Sequence, residues 1–220
     1  MFSFILKKIT LLFLLFSFSS FASSIIENKG QVRQEKLSSE KILFYTSING
    51  GTAYFLKDRI AFVLSEQLEK TNFNNVFTGN KINVFRYDLK INTSSEIILE
   101  KGIAQKEKTN FYTDGNYFSV NQYDKITYKN IAEGVSLVVY NHPDKGLKYD
   151  IVFDHPQKDK VNFSFELIGA NAKKEFDSEK NQEFITIETP LGKVKEEFPF
   201  IYADITSNKK NSRIKKSCSV

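Results

Sequence analysis

The chain has 220 residues, a formal net charge of +5 and a single cysteine. This length suffices to bury the core of one large β domain or two small ones. The charge is too small and too scattered to indicate nucleic-acid binding. One cysteine cannot form an intramolecular disulfide or supply a cysteine cluster for a metal, so stability must come from an apolar core.

The first 22 residues have the layout of a secretory signal peptide. Lys7 and Lys8 precede an apolar run from 9 to 18, and small residues follow as far as Ala22, after which we place the cleavage site. The alternative is a membrane anchor, but this run is shorter than the roughly 20 residues that a spanning helix needs. We therefore expect a secreted or cell-surface protein whose mature chain has no membrane span.

Short apolar runs and turn residues alternate from residue 42 onward, which predicts β-strands. Asn49-Gly50 lies between two such runs and predicts a hairpin. In the segment 59–64, and again in 84–91, apolar and other side chains take alternate positions, as in a strand with one buried face. Asp114-Gly115 predicts a second two-residue turn between strands.

The same pattern continues in the second half of the chain. The segment 142–146 predicts a turn between two strands, because Pro143 and Gly146 favour turn dihedrals. Alternation recurs in 161–167 and 185–188, a turn is predicted at 190–192, and an extended run spans 198–205. The Asn-rich segment 71–80 and the charged segment 170–181 are predicted to be loops.

These elements predict an all-β fold. We expect antiparallel sheets packed as a β-sandwich-like domain over residues 23–205. Helical periodicity is weak throughout; residues 65–71 have the composition for one or two turns, but we predict no helix there. Residues 206–220 form a basic tail, interpreted as a truncated edge of the domain; an anionic surface is an alternative role for it.

The sequence predicts no catalytic residue, no metal site and no cofactor. His142 and His155 each precede a proline in a turn and are predicted to be exposed, and no Cys or further His joins them as zinc ligands. Cys218 lies in the basic tail, and neither a nucleophile elbow nor a phosphate-binding glycine pattern is present.

Carboxylates are numerous but are predicted to face water. Asp88, Asp150 and Glu166 alternate with apolar side chains along their strands. A hydrolase that uses two carboxylates is therefore the least favoured alternative.

Tyrosines are the candidates for recognition, because an exposed tyrosine offers a flat ring and a hydroxyl to a sugar or a protein partner. The alternative is that they fill the half-buried positions that strands commonly give to tyrosine. The candidates are Tyr45, Tyr54, Tyr112, Tyr117, Tyr123, Tyr128 and Tyr140.

The segment Ile26-Glu27-Asn28-Lys29-Gly30-Gln31, called the signature below, resembles the opening of a domain of unknown function in large secreted bacterial proteins. The resemblance continues through the segments 43–63, 116–140, 147–170 and 187–202. Ser136 stands where that family usually has an acidic residue. Family members continue into further domains, so this chain looks like a truncated member.

The resemblance implies an all-β fold and a secreted or cell-surface context, in proteins that carry seven-bladed-propeller-type (SBBP) repeats or a gliding-motility-associated sorting domain. It implies no activity. We expect a non-catalytic structural or interaction module whose partners are other domains, surface proteins or glycans. A carbohydrate-binding domain that uses exposed tyrosines is the alternative. For Asn28, Gly30 and Gln31 we expect a structural role.

Overall fold

A computed structural model describes residues 24–32, 40–67, 82–154, 161–179, 181–197 and 201–203. The predicted signal peptide, the loop 71–80, His155, Cys218 and the basic tail lie outside these ranges. Within them the chain forms strands and turns and no helix. The strands are β1 (Ile25–Glu27), β2 (Phe44–Ile48), β3 (Gly51–Phe55), β4 (Arg59–Gln67), β5 (Ile82–Asn92), β6 (Ile98–Lys101), β7 (Ala104–Thr113), β8 (Asn116–Tyr123), β9 (Lys125–Ala132), β10 (Val135–His142), β11 (Gly146–Phe153), β12 (Ser164–Ile168), β13 (Asn171–Asp177), β14 (Gln182–Thr189), β15 (Gly192–Glu197) and β16 (Ile201–Ala203).

The large sheet has eight strands in the order β12-β5-β4-β3-β2-β1-β8-β7. All its neighbours are antiparallel, and short turns join β2 to β3, β3 to β4 and β7 to β8. Strand β1 lies between two strands that are distant from each other in sequence: Ile26 is opposite Tyr45 of β2 on one side and Gln122 of β8 on the other. The three residues of β1 therefore join the two halves of this sheet.

Two smaller sheets complete the fold. The five-stranded sheet has the order β16-β11-β10-β9-β6, and the three-stranded sheet has the order β13-β14-β15. Strand β16 runs parallel to β11 and pairs with Ile151–Phe153 alone. The other strand pairs in these two sheets are antiparallel. The all-β prediction is confirmed, and none of the described sheets closes into a barrel.

The core lies between the facing sides of the large and the five-stranded sheet. The large sheet contributes Phe55 and Ile60, the five-stranded sheet contributes Leu137 and Val139, and all four are fully buried. The Tyr128 hydroxyl donates to the carbonyl oxygen of Arg59 at 3.0 Å, which ties the two sheets together. The alternating apolar positions that predicted strands are thus the positions that build this core.

The hairpins also follow the turn chemistry of the sequence. Ile48 pairs with Gly51 around Asn49-Gly50, and Thr113 pairs with Asn116 around Asp114-Gly115. Asp114 and Gly115 have φ values of 50° and 76°, the left-handed pair that a two-residue hairpin turn needs. His142 pairs with Gly146, and Thr189 with Gly192, as the turns at 142–146 and 190–192 predicted.

The loop prediction for residues 170–181 is wrong. Residues Asn171–Asp177 form β13, which pairs with β14 along its whole length. Six of the seven β13 side chains are exposed, so the strand carries no buried apolar face. An edge strand held by main-chain hydrogen bonds has no period-2 pattern for a sequence reading to detect. Strand β4 continues to Gln67, so residues 65–67 are extended, in agreement with the prediction of no helix there.

Candidate functional site

A cleft of about 500 Å³ opens where the three sheets meet. Phe62, Leu64 and Tyr87 of the large sheet form its floor. The start of β11, from Gly146 to Asp150, forms one wall, and residues 193–196 of β15 form another. The chain runs from β15 into β16, which pairs with β11 only from Ile151 onward.

The interior of the cleft combines apolar surface with two polar groups. The Tyr149 hydroxyl donates to the Glu196 carboxylate at 3.3 Å, which links the five-stranded and three-stranded sheets. Burial, reinforced by the negative charge of Glu196, raises the pKa of Tyr149 well above its usual value. Burial and the same carboxylate also raise the pKa of Tyr87. Both phenols are neutral hydrogen-bonding groups at physiological pH, as any tyrosine with an ordinary or a raised pKa is.

The rim of the cleft carries four lysines. Lys145 and Lys148 belong to the β10–β11 hairpin, and Lys193 and Lys195 alternate with the inward-facing residues of β15. The Lys195 ammonium lies 3.3 Å from an Asp177 oxygen and 3.6 Å from the centroid of the Phe184 ring. Asp150 is 8% exposed, so the prediction that it faces water is wrong.

The signature folds into a turn that its own side chains hold. The Asn28 Oδ1 atom accepts hydrogen bonds from the backbone N–H groups of Gly30 and Val32, both at 3.1 Å. Its Nδ2 atom donates to the Ile42 carbonyl at 3.0 Å. Asn28 thus fixes the turn after β1 and attaches it to the segment that leads into β2.

Gln31 and Gly30 complete this turn. The Gln31 side chain accepts from the N–H of Lys29 at 2.8 Å and donates to the Glu27 carbonyl. Gly30 has a φ of +116°, which side-chain-bearing residues rarely adopt. These contacts agree with the structural role expected for the signature, since its polar atoms bond to neighbouring backbone.

Glu27, the acidic residue of the signature, holds the two main sheets together. Its carboxylate lies 2.6 Å from the Lys101 ammonium at the end of β6, and it is largely buried. The same ammonium lies 5.6 Å from the Tyr123 ring centroid and 6.0 Å from that of Phe44, within cation–π range. The hydrogen bond to Glu27 is the main reason why the pKa of Lys101 is raised.

A cluster of charged residues covers part of the outer face of the large sheet. Asp88 is 5% exposed and binds Arg86 through two hydrogen bonds of 2.7 Å each. Glu40 lies 2.9 Å from Arg59 and 3.2 Å from Arg86. Arg59 also pairs with Asp58 and lowers the pKa of that carboxyl. Asp88 was predicted to face water, and that prediction is wrong because these arginines and Glu40 cover it.

The structure divides the candidate tyrosines into three groups. Tyr123 and Tyr128 are buried in the core, at 4% and 0% exposure, so their predicted exposure is wrong. Tyr45, Tyr54 and Tyr140 are half-buried. Tyr112 and Tyr117 are 78% and 63% exposed and lie opposite each other near the tip of the β7–β8 hairpin. These two form a tyrosine pair on one face of the hairpin.

The strands β1 to β16 lie inside the range of one family match. A model of a domain of unknown function, DUF7948, matches residues 25–216. The chain belongs to this family. No curated protein and no solved structure matches it. The DUF7948 match starts at Ile25, the first residue of β1, so the whole signature lies within the matched range.

Of the two histidines predicted to lie in turns, His142 is in the described part of the DUF7948 domain and His155 is outside it. His142 is half-buried at the end of β10, where its Nδ1 atom accepts a hydrogen bond from the N–H of Asp144 at 3.2 Å. Within the described ranges no three His, Cys, Asp or Glu side chains form a group that could hold a metal ion. In the same ranges, no helix is long and apolar enough to cross a membrane.

Sequence reasoning missed the cleft of the DUF7948 domain entirely. Its walls come from β11 and β15, which are far apart in sequence and pair through different sheets. Each strand shows ordinary alternation, so neither pattern indicates a cavity between them. One sequence signal for the cleft is the occurrence of its four lysines in two short segments, 145–148 and 193–195, which precede and follow β13 along the chain.

Proposed function

We propose that the DUF7948 domain is a non-catalytic extracellular or cell-surface module that supports or presents other domains. The observation that carries this proposal is the use of the signature's side chains. Asn28 and Gln31 form hydrogen bonds with neighbouring backbone, and Glu27 binds Lys101. The most characteristic residues of the family's signature therefore stabilise the large sheet. That is what a scaffold requires of its most specific segment.

The proposed host is a large secreted bacterial protein with SBBP repeats or a gliding-motility-associated sorting domain. The predicted signal peptide and the signature's resemblance to N-terminal domains of such proteins support this context. Partners are then other domains of the host, or surface proteins. The reading frame downstream of Val220 tests the proposal: propeller-type repeats or a sorting domain are expected there, and an unrelated cytoplasmic enzyme would contradict it.

The absence of catalysis is tested with a panel of glycoside and ester substrates. Asp150 and Glu196 both line the cleft and are the pair that a two-carboxylate hydrolase would use. We expect no turnover that depends on them. The comparison is between the native protein, Glu196→Gln and the exposed control Glu166→Gln. Reproducible turnover that Glu196→Gln abolishes and Glu166→Gln leaves unchanged would refute the proposal.

Carbohydrate binding through exposed tyrosines is the second candidate function. The observation that favours it is the pair Tyr112–Tyr117, because Asn110 and Ser119 lie opposite each other two pairs further along the same strands and so on the same face. Aromatic rings give an apolar surface to a sugar ring, and amide and hydroxyl groups bind sugar hydroxyls. This pair is the part of the tyrosine set best placed for such contacts.

A glycan array tests this second function. Binding to a defined glycan is expected to fall about tenfold or more in the double variant Tyr112→Ala/Tyr117→Ala, since stacking contacts are worth about 1 kcal/mol each. Phe176→Ala is the control, because Phe176 is also an aromatic residue with 60% exposure but lies on β13. A uniformly negative array, or equal losses in both variants, would argue against the tyrosine pair.

A further inference from the structure

We propose that one face of the β7–β8 hairpin binds an acidic glycan. The tyrosine pair Tyr112–Tyr117 lies under a sugar ring, and Lys108 binds an acid group on another unit of the same glycan. The inference rests on the second candidate function, carbohydrate binding, and adds to it the chemical class of the glycan and the residue that recognises its charge.

Three rows of paired side chains form this face, which is called the open face below. In an antiparallel strand pair, residues that lie opposite each other project to the same side, and every second pair projects to the same side again. The rows of the open face are Lys108–Asn121, Asn110–Ser119 and Tyr112–Tyr117. The register is regular from Lys108 to Thr113, because the irregularity of this strand pair lies before Lys108. The alternation therefore holds for all three rows.

The other face of the hairpin is covered by the large sheet's own side chains, whereas the open face is not. On the covered face Val120 is fully buried, and the ring centroid of Phe111 lies 6.5 Å from that of Tyr45 on β2. On the open face Tyr112 and Tyr117 are 78% and 63% exposed. The two rings are thus accessible to a ligand.

The polar groups of the open face are almost all without a partner in the protein. Among the described residues, five of its six side chains form no hydrogen bond, ion pair or ring contact: Lys108, Asn110, Tyr112, Tyr117 and Ser119. The sixth, Asn121, donates to the Tyr123 hydroxyl at 3.4 Å. Hydroxyl, amide and ammonium groups that lie side by side can bind the hydroxyl groups of a sugar.

The composition and extent of the open face favour a glycan over a protein partner. The face has no Leu, Ile, Val or Met, whereas the centre of a protein interface is enriched in apolar groups. Its Cα atoms span only about 13 Å along the strands and about 5 Å across them. Each partner of a stable protein complex contributes roughly 800 Å². A sugar needs less, because its C–H face lies on one aromatic ring and its hydroxyl groups reach the neighbouring polar side chains.

The position of the charged residue indicates where the acid group of the glycan lies. Lys108 is the only charged member of the three rows, and it is exposed. It lies four residues from Tyr112, which is about 13 Å along the strand. Glu107 precedes it in the irregular stretch and is outside the rows. An ammonium on a flexible stem binds a carboxylate by a charge-assisted hydrogen bond, so the acid group belongs to a different sugar unit from the one over the tyrosines.

Isothermal titration calorimetry with galacturonic acid tetramers and their methyl esters tests the proposal, because esterification removes the charge and keeps the sugar rings. The native protein is compared with Lys108→Gln and two controls. Lys129→Gln removes an exposed lysine from β9, which belongs to the five-stranded sheet. Glu107→Gln alters the chain neighbour of Lys108 without removing the ammonium. Circular dichroism and the urea midpoint check that each variant is folded.

The native protein is expected to bind the acidic tetramer about threefold more tightly than the ester, since a single exposed charge contributes modestly. This preference should disappear in Lys108→Gln, persist in both controls and vanish in about 1 M salt. Absence of binding by either tetramer, equal affinity for the two, or equal loss of the preference in Lys108→Gln and Lys129→Gln would overturn the inference.

The double variant Tyr112→Ala/Tyr117→Ala separates this inference from the function on which it rests. It should weaken both tetramers about tenfold or more. If the native protein binds acid and ester equally and this variant loses both, the inference falls and carbohydrate binding through the tyrosine pair stands. If neither tetramer binds, the inference falls, and the glycan array decides the second candidate function independently.

Discussion

The Asn28 side chain is predicted to be the most important single polar contributor to the stability of the domain. The variant Asn28→Ala deletes the amide that holds the signature turn. Asn28 lies directly after β1, and β1 is the strand that joins the two halves of the large sheet. Loss of the amide therefore loosens the turn, the attachment to Ile42 and the end of the central strand together.

The magnitude follows from the hydrogen bonds that the variant removes. Three of them have good geometry, at 3.0, 3.1 and 3.1 Å, and a fourth to the Val32 carbonyl is longer at 3.4 Å. A hydrogen bond contributes about 1 kcal/mol net. The freed backbone groups are partly exposed and regain water, so we expect a loss of about 2–3 kcal/mol. A domain has only about 5–15 kcal/mol in total, so this loss is large.

Urea denaturation, followed by circular dichroism and tyrosine fluorescence, measures the effect. With a dependence of about 2 kcal/mol per M urea, the midpoint should fall by about 1–1.5 M. Asn116→Ala is the control, because Asn116 is exposed and its one side-chain bond, to the Asp114 carbonyl, is 3.3 Å long. The control should change the free energy of unfolding by less than about 0.5 kcal/mol. If Asn28→Ala were no more destabilising than Asn116→Ala, the structural interpretation of the signature would be wrong.

Three further predictions concern backbone, charge and pH. Gly30→Ala should lower the free energy of unfolding by about 1–3 kcal/mol because of the φ of +116°. A clash is not the cause, since the added Cβ would lie 3.4 Å from a Phe118 ring carbon. The midpoint of thermal unfolding should be lower than for Gly115→Ala, where φ is +76°. Asp88→Asn should lower the free energy of unfolding in urea by about 2 kcal/mol. This is less than the loss expected on breaking a fully buried ion pair, because Arg86 is half exposed and Glu40 still pairs with both arginines. An unchanged urea midpoint would contradict the buried ion pair. Burial raises the pKa of Tyr128 and Tyr149 above that of unfolded tyrosine. Their contribution to stability is therefore complete below about pH 10 and is lost as the pH rises further. Tyrosinate absorbance should show that these two phenols titrate only as the domain unfolds. Titration of all ten tyrosines before unfolding would refute this prediction.

The strands and hairpins of the core could be predicted from the sequence because each depends on local rules. Alternation placed Ile60, Phe62 and Leu64 on one face, and all three are buried. The Asp-Gly turn formed where its dihedral preferences allow. β13 could not be predicted, because its residues pair through the main chain and contribute almost nothing to the core. Strand pairing without burial leaves no mark in the hydrophobic pattern.

The buried carboxylates show a second limit of sequence patterns. Alternation correctly placed Asp88 on the face opposite Tyr87 and Leu89. It does not tell whether that face is open to water, because the covering groups, Arg59, Arg86 and Glu40, come from other parts of the chain. The same holds for Asp150, which is buried on β11. Tyr123 and Tyr128 were misplaced for a related reason, since tyrosine suits both a core with one hydrogen-bond partner and an exposed surface.

The position of the signature at the start of the domain follows from topology. Strand β1 pairs with β2 and with β8, so its place in the large sheet is not fixed until residues as distant as Gln122 are in place. The three residues of β1 form few main-chain hydrogen bonds of their own. Further stabilisation comes from the turn held by Asn28 and Gln31 and from the ion pair between Glu27 and Lys101. A short central strand with such long-range pairing needs specific side chains more than any hairpin of the domain does. The segment with the most specific sequence is therefore the one whose placement the hydrophobic pattern alone would leave undetermined.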